Sequence, residues 1–309
     1  MIRVQNLTKY YGERLAVDNI SFNVGKGEIV GLLGPNAAGK TTTMRILTGF
    51  LMPTRGDAFI ADCNMAGDSL EGRRHIGYMP ESIPLYTDMK VRDYLDFFGR
   101  LRGVTPENIK KRIDEVVQLC DLGEYIDSIV GKLSRGFRQR VGLAQAIIHN
   151  PDVLILDEPT VGIDPIQVAQ TRNLIKELGK EHTVLISTHI LPEVSIICER
   201  VIIINRGKIV AEDSIENLSA VLRGSRRIKV EVKGPADKIA DALRRVPGVR
   251  RVAREGSYYI IDSPADSDPR ARVTEAMVKN GWQLLSAETV EMSLEEIFLQ
   301  LTTKEGAKQ

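Results

Sequence analysis

The chain reads as an α/β protein followed by a smaller α+β domain, and three observations carry that expectation. Short apolar runs alternate with helical patterns between residues 28 and 205, which is the rhythm of an α/β core. One stretch, residues 91–150, is helical with no strand between. Beyond residues 223–225 both the pattern and the charge restart. A length of 309 residues accommodates two ordinary domains. With 43% hydrophobic and 27% charged residues, the chain has material for a core and none of the bias of disordered, collagenous or disulfide-built proteins.

Residues 28–33 predict a short buried strand that passes through a glycine turn into a helix over 39–49. Further strands are expected at 58–61, 76–79, 153–156, 184–187 and 201–205. Tyr94, Leu95, Phe97 and Phe98, then Ile113, Val116 and Val117, repeat at helical spacing. Residues 85–150 therefore read as a helical subdomain inserted into a first domain, 1–218. A linker at 219–227 precedes a strand (228–232), a helix (236–246), two strands (249–254 and 258–262), a helix (270–280) and a last strand (283–290). This β-α-β-β-α-β order is that of a ferredoxin-like sandwich, placed at 228–292. A terminal helix, 293–302, is expected from Ser293 as its cap and Glu296 three residues on, with a frayed polar end at 303–309.

No apolar run approaches the roughly 18 residues of a membrane-spanning helix. The start, Met1-Ile2-Arg3-Val4, has no basic leader and apolar run, so a cytosolic protein is expected. Cys63, Cys120 and Cys198 are odd in number and widely spaced, and read as small apolar residues in a reducing compartment. The net charge of +1 conceals a division. Residues 222–254 hold 11 Lys and Arg against 3 Asp and Glu, a net +8, and the rest of the chain carries −7. That window has no Phe, Tyr or Trp for base stacking, so nucleic acid is not expected. A solvated face is the simplest reading, with anionic lipid headgroups or the cytosolic loops of a membrane partner next.

Gly34-Pro35-Asn36-Ala37-Ala38-Gly39-Lys40-Thr41 satisfies G-x-x-x-x-G-K-[ST] after a strand and at the opening of a helix, with Thr42 following. Glycines let backbone N–H groups wrap phosphate oxygens, Lys40 reaches the β and γ phosphates, and the Thr41 hydroxyl suits Mg²⁺. Val153-Leu154-Ile155-Leu156 ends in Asp157-Glu158, as a buried parallel strand delivering two acids to its carboxyl end. Asp157 is then a metal ligand through water, and Glu158 the general base on the attacking water. Leu133-Ser134-Arg135-Gly136-Phe137 precedes a helix expected at 141–149 and has the make-up of an anion site.

With Arg138-Gln139-Arg140 behind it, that segment resembles the LSGGQ signature of ATP-binding cassette (ABC) ATPases, Arg135 and Phe137 replacing a glycine and a glutamine. The resemblance covers about residues 1–218. It implies a P-loop NTPase fold, ATP and Mg²⁺ as cofactors, and Ser134 and Gly136 as γ-phosphate contacts. It further implies that Tyr11 stacks on adenine, that Asp164 belongs to the D-loop, which touches the opposite subunit, and that His189 is the γ-phosphate switch. Glu81, after Gly77-Tyr78-Met79-Pro80, stands where most of the family has glutamine. As a carboxylate it binds Mg²⁺ by charge and donates no hydrogen bond while ionised. Pro80-Glu81, Pro84-Leu85-Tyr86 and the Arg-Gln-Arg run resemble an exporter-type subgroup that includes gliding-motility-associated ATPases.

The family implies a head-to-tail dimer of ATP-binding subunits and a separate membrane permease of ABC-2 type, docked near Glu81 and the helical insertion. The protein is then peripheral on the cytoplasmic face of the membrane. The competing class is a soluble cassette ATPase acting on nucleic acid or ribosomes; such proteins usually carry two cassettes or long insertions. A nucleotide-binding protein without turnover is disfavoured by Asp157, Glu158 and His189.

Overall fold

Five-residue runs with no polar side chain before their last position fit a parallel sheet covered on both faces. The computed structural model, which describes residues 1–217, 225–264 and 267–290, places them so. The first elements are β1 (Ile2–Tyr11), β2 (Arg14–Val24), β3 (Ile29–Leu33), α1 (Lys40–Leu47), β4 (Arg55–Ile60) and β5 (Cys63–Asn64). Next come α2 (Ser69–Arg74), β6 (Ile76–Met79), α3 (Val91–Leu101), α4 (Pro106–Leu119) and α5 (Arg135–Ile147). The core closes with β7 (Val153–Asp157), α6 (Pro165–Leu178), β8 (Thr183–Thr188), α7 (Leu191–Ile197), β9 (Arg200–Asn205) and β10 (Lys208–Ser214).

The central sheet runs β10-β9-β3-β8-β7-β6, and its β9-β3-β8-β7-β6 pairings are parallel. Every residue of β3, β7 and β8 is buried. A second, antiparallel sheet, β2-β1-β4-β5, was not legible in the sequence apart from β4. Its strands break the period-2 alternation: the β1–β2 register shifts between Val4 and Leu7, where Asn6 takes φ 49°. Asn19 on β2 also has φ 49°, and the two side chains hydrogen-bond at 3.1 Å. Helix α1 packs against both sheets, its Met44, Ile46 and Leu47 joining Leu7, Val17 and Ile60 on one side and Val30, Leu32 and Ile155 on the other.

Helices α3, α4 and α5 pack on one another in the insertion. Helix α5 begins at Arg135 and ends at Ile147, not over 141–149, because Ser134 caps it by accepting a hydrogen bond from the Phe137 N–H at 3.3 Å. The signature segment is thus the first turn of the helix.

His149, just past α5, is half-buried with Nε2 3.1 Å from the Ile76 carbonyl. Burial first, and then the charge of Arg102, push it down to about 4. The native ring stays neutral where the unfolded chain takes a proton, below about pH 6.5. Its contribution to stability is therefore complete above pH 6.5 and is lost as pH falls towards 4, by about 1.4 kcal/mol per unit. Urea midpoints measured across that window should fall less steeply in His149→Gln than in the parent. Parallel slopes would remove His149 from the acid response.

The chain divides into two compact units, Met1–Asp213 and Ser214–Gln309. The second contains β11 (Ser225–Lys233), α8 (Ala236–Arg244), β12 (Arg251–Glu255), β13 (Tyr258–Pro264), α9 (Arg270–Lys279) and β14 (Gln283–Val290). Its antiparallel sheet runs β12-β13-β11-β14. Ile228, Val230 and Ile261 form its core with Ile239, Leu243, Val273 and Met277 from the two helices. Residues 225–227, expected within the linker 219–227, belong to β11. Arg227 faces Asp262 across the ladder and pairs with it at 2.7 Å. Residues 218–224, the expected terminal helix 293–302 and the tail 303–309 lie outside the described residues. Among the described residues, no helix is long and apolar enough to cross a membrane.

Candidate active site

The loop joining β3 to α1 is squeezed from two sides. A Cβ at Gly34 would sit 2.3 Å from the Ile204 carbonyl oxygen, and one at Gly39, where φ is 113°, 2.8 Å from that of Ala16. Between them Ala37 also takes a positive φ, 64°. The first turn of α1 contains no acidic residue, so its N–H groups and dipole stand open to an anion. Lys40 is 5% exposed, and its ammonium donates to the carbonyls of Gly34 at 2.7 Å and Pro35 at 3.3 Å.

Strand β7 delivers the two acids. Asp157 is buried, accepting hydrogen bonds from the hydroxyls of Ser187 and Thr41. Burial lifts its carboxyl above the ordinary range; the two hydroxyls pull it back, and the charges of Glu158 and Glu81 add to the rise. Glu158 takes φ 50°, with its N–H held on the Ser187 carbonyl at 3.0 Å. That turn aims its carboxylate at Lys40, 3.3 Å away, and at His189 Nδ1, 3.0 Å from both oxygens. Three residues separated widely in sequence therefore meet above the loop.

They open onto a cavity of about 800 Å³. Of the expected site residues, Asn36, Ala37, Ala38, Gly39, Lys40, Thr41 and Thr42 form its floor, with Tyr11, Glu81, Glu158 and His189 on its walls. A triphosphate suits this lining: a glycine-strapped cradle at a helix N-terminus, a lysine and no neighbouring acid in the first turn. Mg²⁺ suits the oxygen donors of Thr41, Asp157 and Glu81. Among the described residues no cluster of three His, Cys, Asp or Glu offers a softer metal site.

Ser134, Gly136 and Asp164 do not line this cavity. Asp164 caps α6, accepting from the N–H groups of Ile166 and Gln167 at 3.1 Å each. Gly136 faces Gln167, which would lie 3.0 Å from a Cβ there. The Arg135 guanidinium lies over Gly162, so close that a Cβ at that residue would be 2.3 Å from its central carbon. Gln139 donates to the Val161 carbonyl at 3.3 Å. The start of α5 thus rides on residues 161–167 of the same chain.

Ala16 and Val161, which lie in the stretches that resemble the family's adenine-stacking and D-loop segments, also line the cavity; sequence reasoning missed Arg14, Leu15 and Arg206, which complete its wall. It also missed Glu193, buried on α7 and bonded by the Thr160 hydroxyl. Arg14 was within reach, since it lies opposite Tyr11 in the β1–β2 hairpin. Nothing local to Arg206 or Glu193 marks them, because their neighbours are brought by the fold.

The chain is similar to known proteins of one family. Residues 17–161 match the ABC transporter family. The sequence is 34% identical over 314 residues to an uncharacterised ABC transporter ATP-binding protein of Bacillus subtilis, covering 99% of this chain and 97% of that one. It is 34% identical over 303 residues to the bacitracin transport ATP-binding protein of Bacillus licheniformis, covering 97% of each. A solved dimeric ATP-binding cassette in a post-hydrolysis state with ADP and Pi is similar at a TM-score of 0.64 and 26% identity, over 70% of this chain and 99% of that one.

Proposed function

Because the chain belongs to the family of ABC transporter ATP-binding proteins, we propose that it hydrolyses ATP as a head-to-tail dimer at the cytoplasmic face of a membrane and thereby drives a separate permease of ABC-2 type that exports its cargo. The observation that carries the chemistry is the meeting of Lys40, Glu158 and His189 at 3.0–3.3 Å over the phosphate loop. MgATP supplies the transferable phosphoryl group and a divalent charge to offset its oxygens. Lys40 and the loop amides hold the β and γ oxygens, Glu158 accepts a proton from water at its carboxylate, and His189 orients that carboxylate.

The signature residues support the dimer. Ser134 and Gly136 stand away from their own chain's cavity, so their service to a nucleotide requires a second copy. Glu81 supports a metal reading because it shares the cavity with Thr41 and adds its negative charge at Asp157. Glu81→Ala is expected to weaken Mg²⁺-dependent nucleotide affinity about tenfold, as for a lost charge-assisted contact. Unchanged affinity and hydrolysis would remove Glu81 from the metal.

Tyr86, five residues beyond Glu81, is 52% exposed and packs on Phe98 and Phe97 with ring centroids 5.9 Å apart. This half-open aromatic cluster supports docking of the membrane partner on the helical insertion. The basic second unit offers less to nucleic acid than its charge suggests. Lys229 sits 3.8 Å over the Tyr258 ring, and Arg227 is paired with Asp262. What remains of that charge suits anionic headgroups, which steep salt dependence of vesicle binding would register.

The test is purification from detergent-solubilised membranes. Co-purification of an integral membrane protein, with Mg²⁺-dependent ATPase activity, is the expected result. Recovery with ribosomes or nucleic acid alone would overturn the reading in favour of the soluble class.

A further inference from the structure

The turn between β9 and β10 is bolted to the phosphate loop. Gly207 N–H donates to the Ala38 carbonyl and the Gly207 carbonyl accepts from Asp18 N–H, both at 2.8 Å. The turn also presses on β2: a Cβ at Gly207 would lie 2.9 Å from the Ala16 carbonyl oxygen. Both of its central residues have positive φ, 48° at Arg206 and 81° at Gly207. Two-residue hairpin turns of this kind favour Asn, Asp or Gly at the first position, and a long side chain there costs backbone energy. Yet the residue is arginine, and it lines the nucleotide cavity.

Arg14 lines the same wall, directly across the β1–β2 ladder from Tyr11. Among the described residues neither guanidinium has a carboxylate partner. The reacting groups Glu158, His189 and Glu81 are carried on other elements, after β7, β8 and β6. The two arginines are held instead by β2 and the turn packed on Ala16 and Val17, the side of the cavity that carries Tyr11.

We propose that Arg206, seconded by Arg14, is a nucleotide-binding residue that grips the phosphates ATP and ADP have in common. The turn's backbone is bonded to the loop, so it holds the root of the exposed arginine beside the cavity, where a guanidinium is a charge-assisted donor for phosphate oxygen. Its grip persists after hydrolysis, so it sets how firmly the product is held. The proposal rests on the cavity being a nucleotide site, and the experiment separates the two.

Calorimetric titration of the full chain with MgADP and with MgATP decides it. Binding of both by the parent establishes the nucleotide site; failure to bind either overturns both readings. Arg206→Gly removes the cation and suits φ 48° better than arginine, so misfolding does not confound it. The expected result is a loss of about tenfold in affinity for ADP and ATP alike, with Arg206→Lys recovering part of it. Affinities within twofold of the parent would overturn the proposal. So would a loss confined to ATP, which places the guanidinium at the γ phosphate.

Discussion

Glu158→Gln is expected to keep its affinity for MgATP, to lose about 10²- to 10⁴-fold in turnover, and to run as a dimer on gel filtration when ATP is present. The amide keeps the shape of the carboxylate and still offers Lys40 an oxygen at 3.3 Å. It has no basicity with which to take a proton from water. It also removes a negative charge beside the triphosphate, so the nucleotide-bound dimer is held more firmly and is no longer opened by hydrolysis. Single-turnover measurements separate the chemical step from product release. Turnover equal to the parent would take the base role from Glu158.

Lys40→Ala is expected to abolish measurable nucleotide binding and to lower stability by roughly 3 kcal/mol, the usual cost of removing one partner of a buried ion pair. The side chains of Lys40 and Glu158 are each 6% exposed, so without the ammonium a carboxylate is left in the protein interior with His189 as its remaining partner. A double variant distinguishes the two effects. Lys40→Ala combined with Glu158→Gln is expected to recover most of the lost stability and none of the binding, as a double-mutant cycle of denaturation and titration would register. If the single variant were as stable as the parent, the pair would hold phosphate chemistry together and nothing of the fold.

Much of the site was legible because its chemistry is written in contiguous residues. Residues 34–41 declare a phosphate loop wherever they stand between strand and helix, and Asp157-Glu158 declare themselves by ending an apolar run. Legibility failed where tertiary contacts override local pattern. The β1–β2 sheet was invisible because bulges near Asn6 break its alternation, and α5 was entered six residues late because Arg135 and Gly136 do not look like a helix start until Ser134 is seen capping it. Arg206 reads as an ordinary turn residue. Only Gly207's bond to Ala38, between residues 169 positions apart, brings it to the loop.

The contacts under Arg135 have a further consequence. Residues 161–167 are gripped from above by Arg135, Gly136 and Gln139, and tied below by the Val161 N–H to the Glu158 carbonyl at 3.3 Å. In the head-to-tail dimer proposed above, one short span would join the surface a chain lends to its partner's nucleotide and the carboxylate it uses on its own. Whatever free energy the partner's nucleotide gains by adjusting that surface must reappear, equal in size, as a change in the affinity of the chain's own site, because linkage between binding sites is reciprocal. In the proposed dimer the two sites then share their binding energy through residues 161–167, of which only Val161 lines the cavity of the chain that owns them.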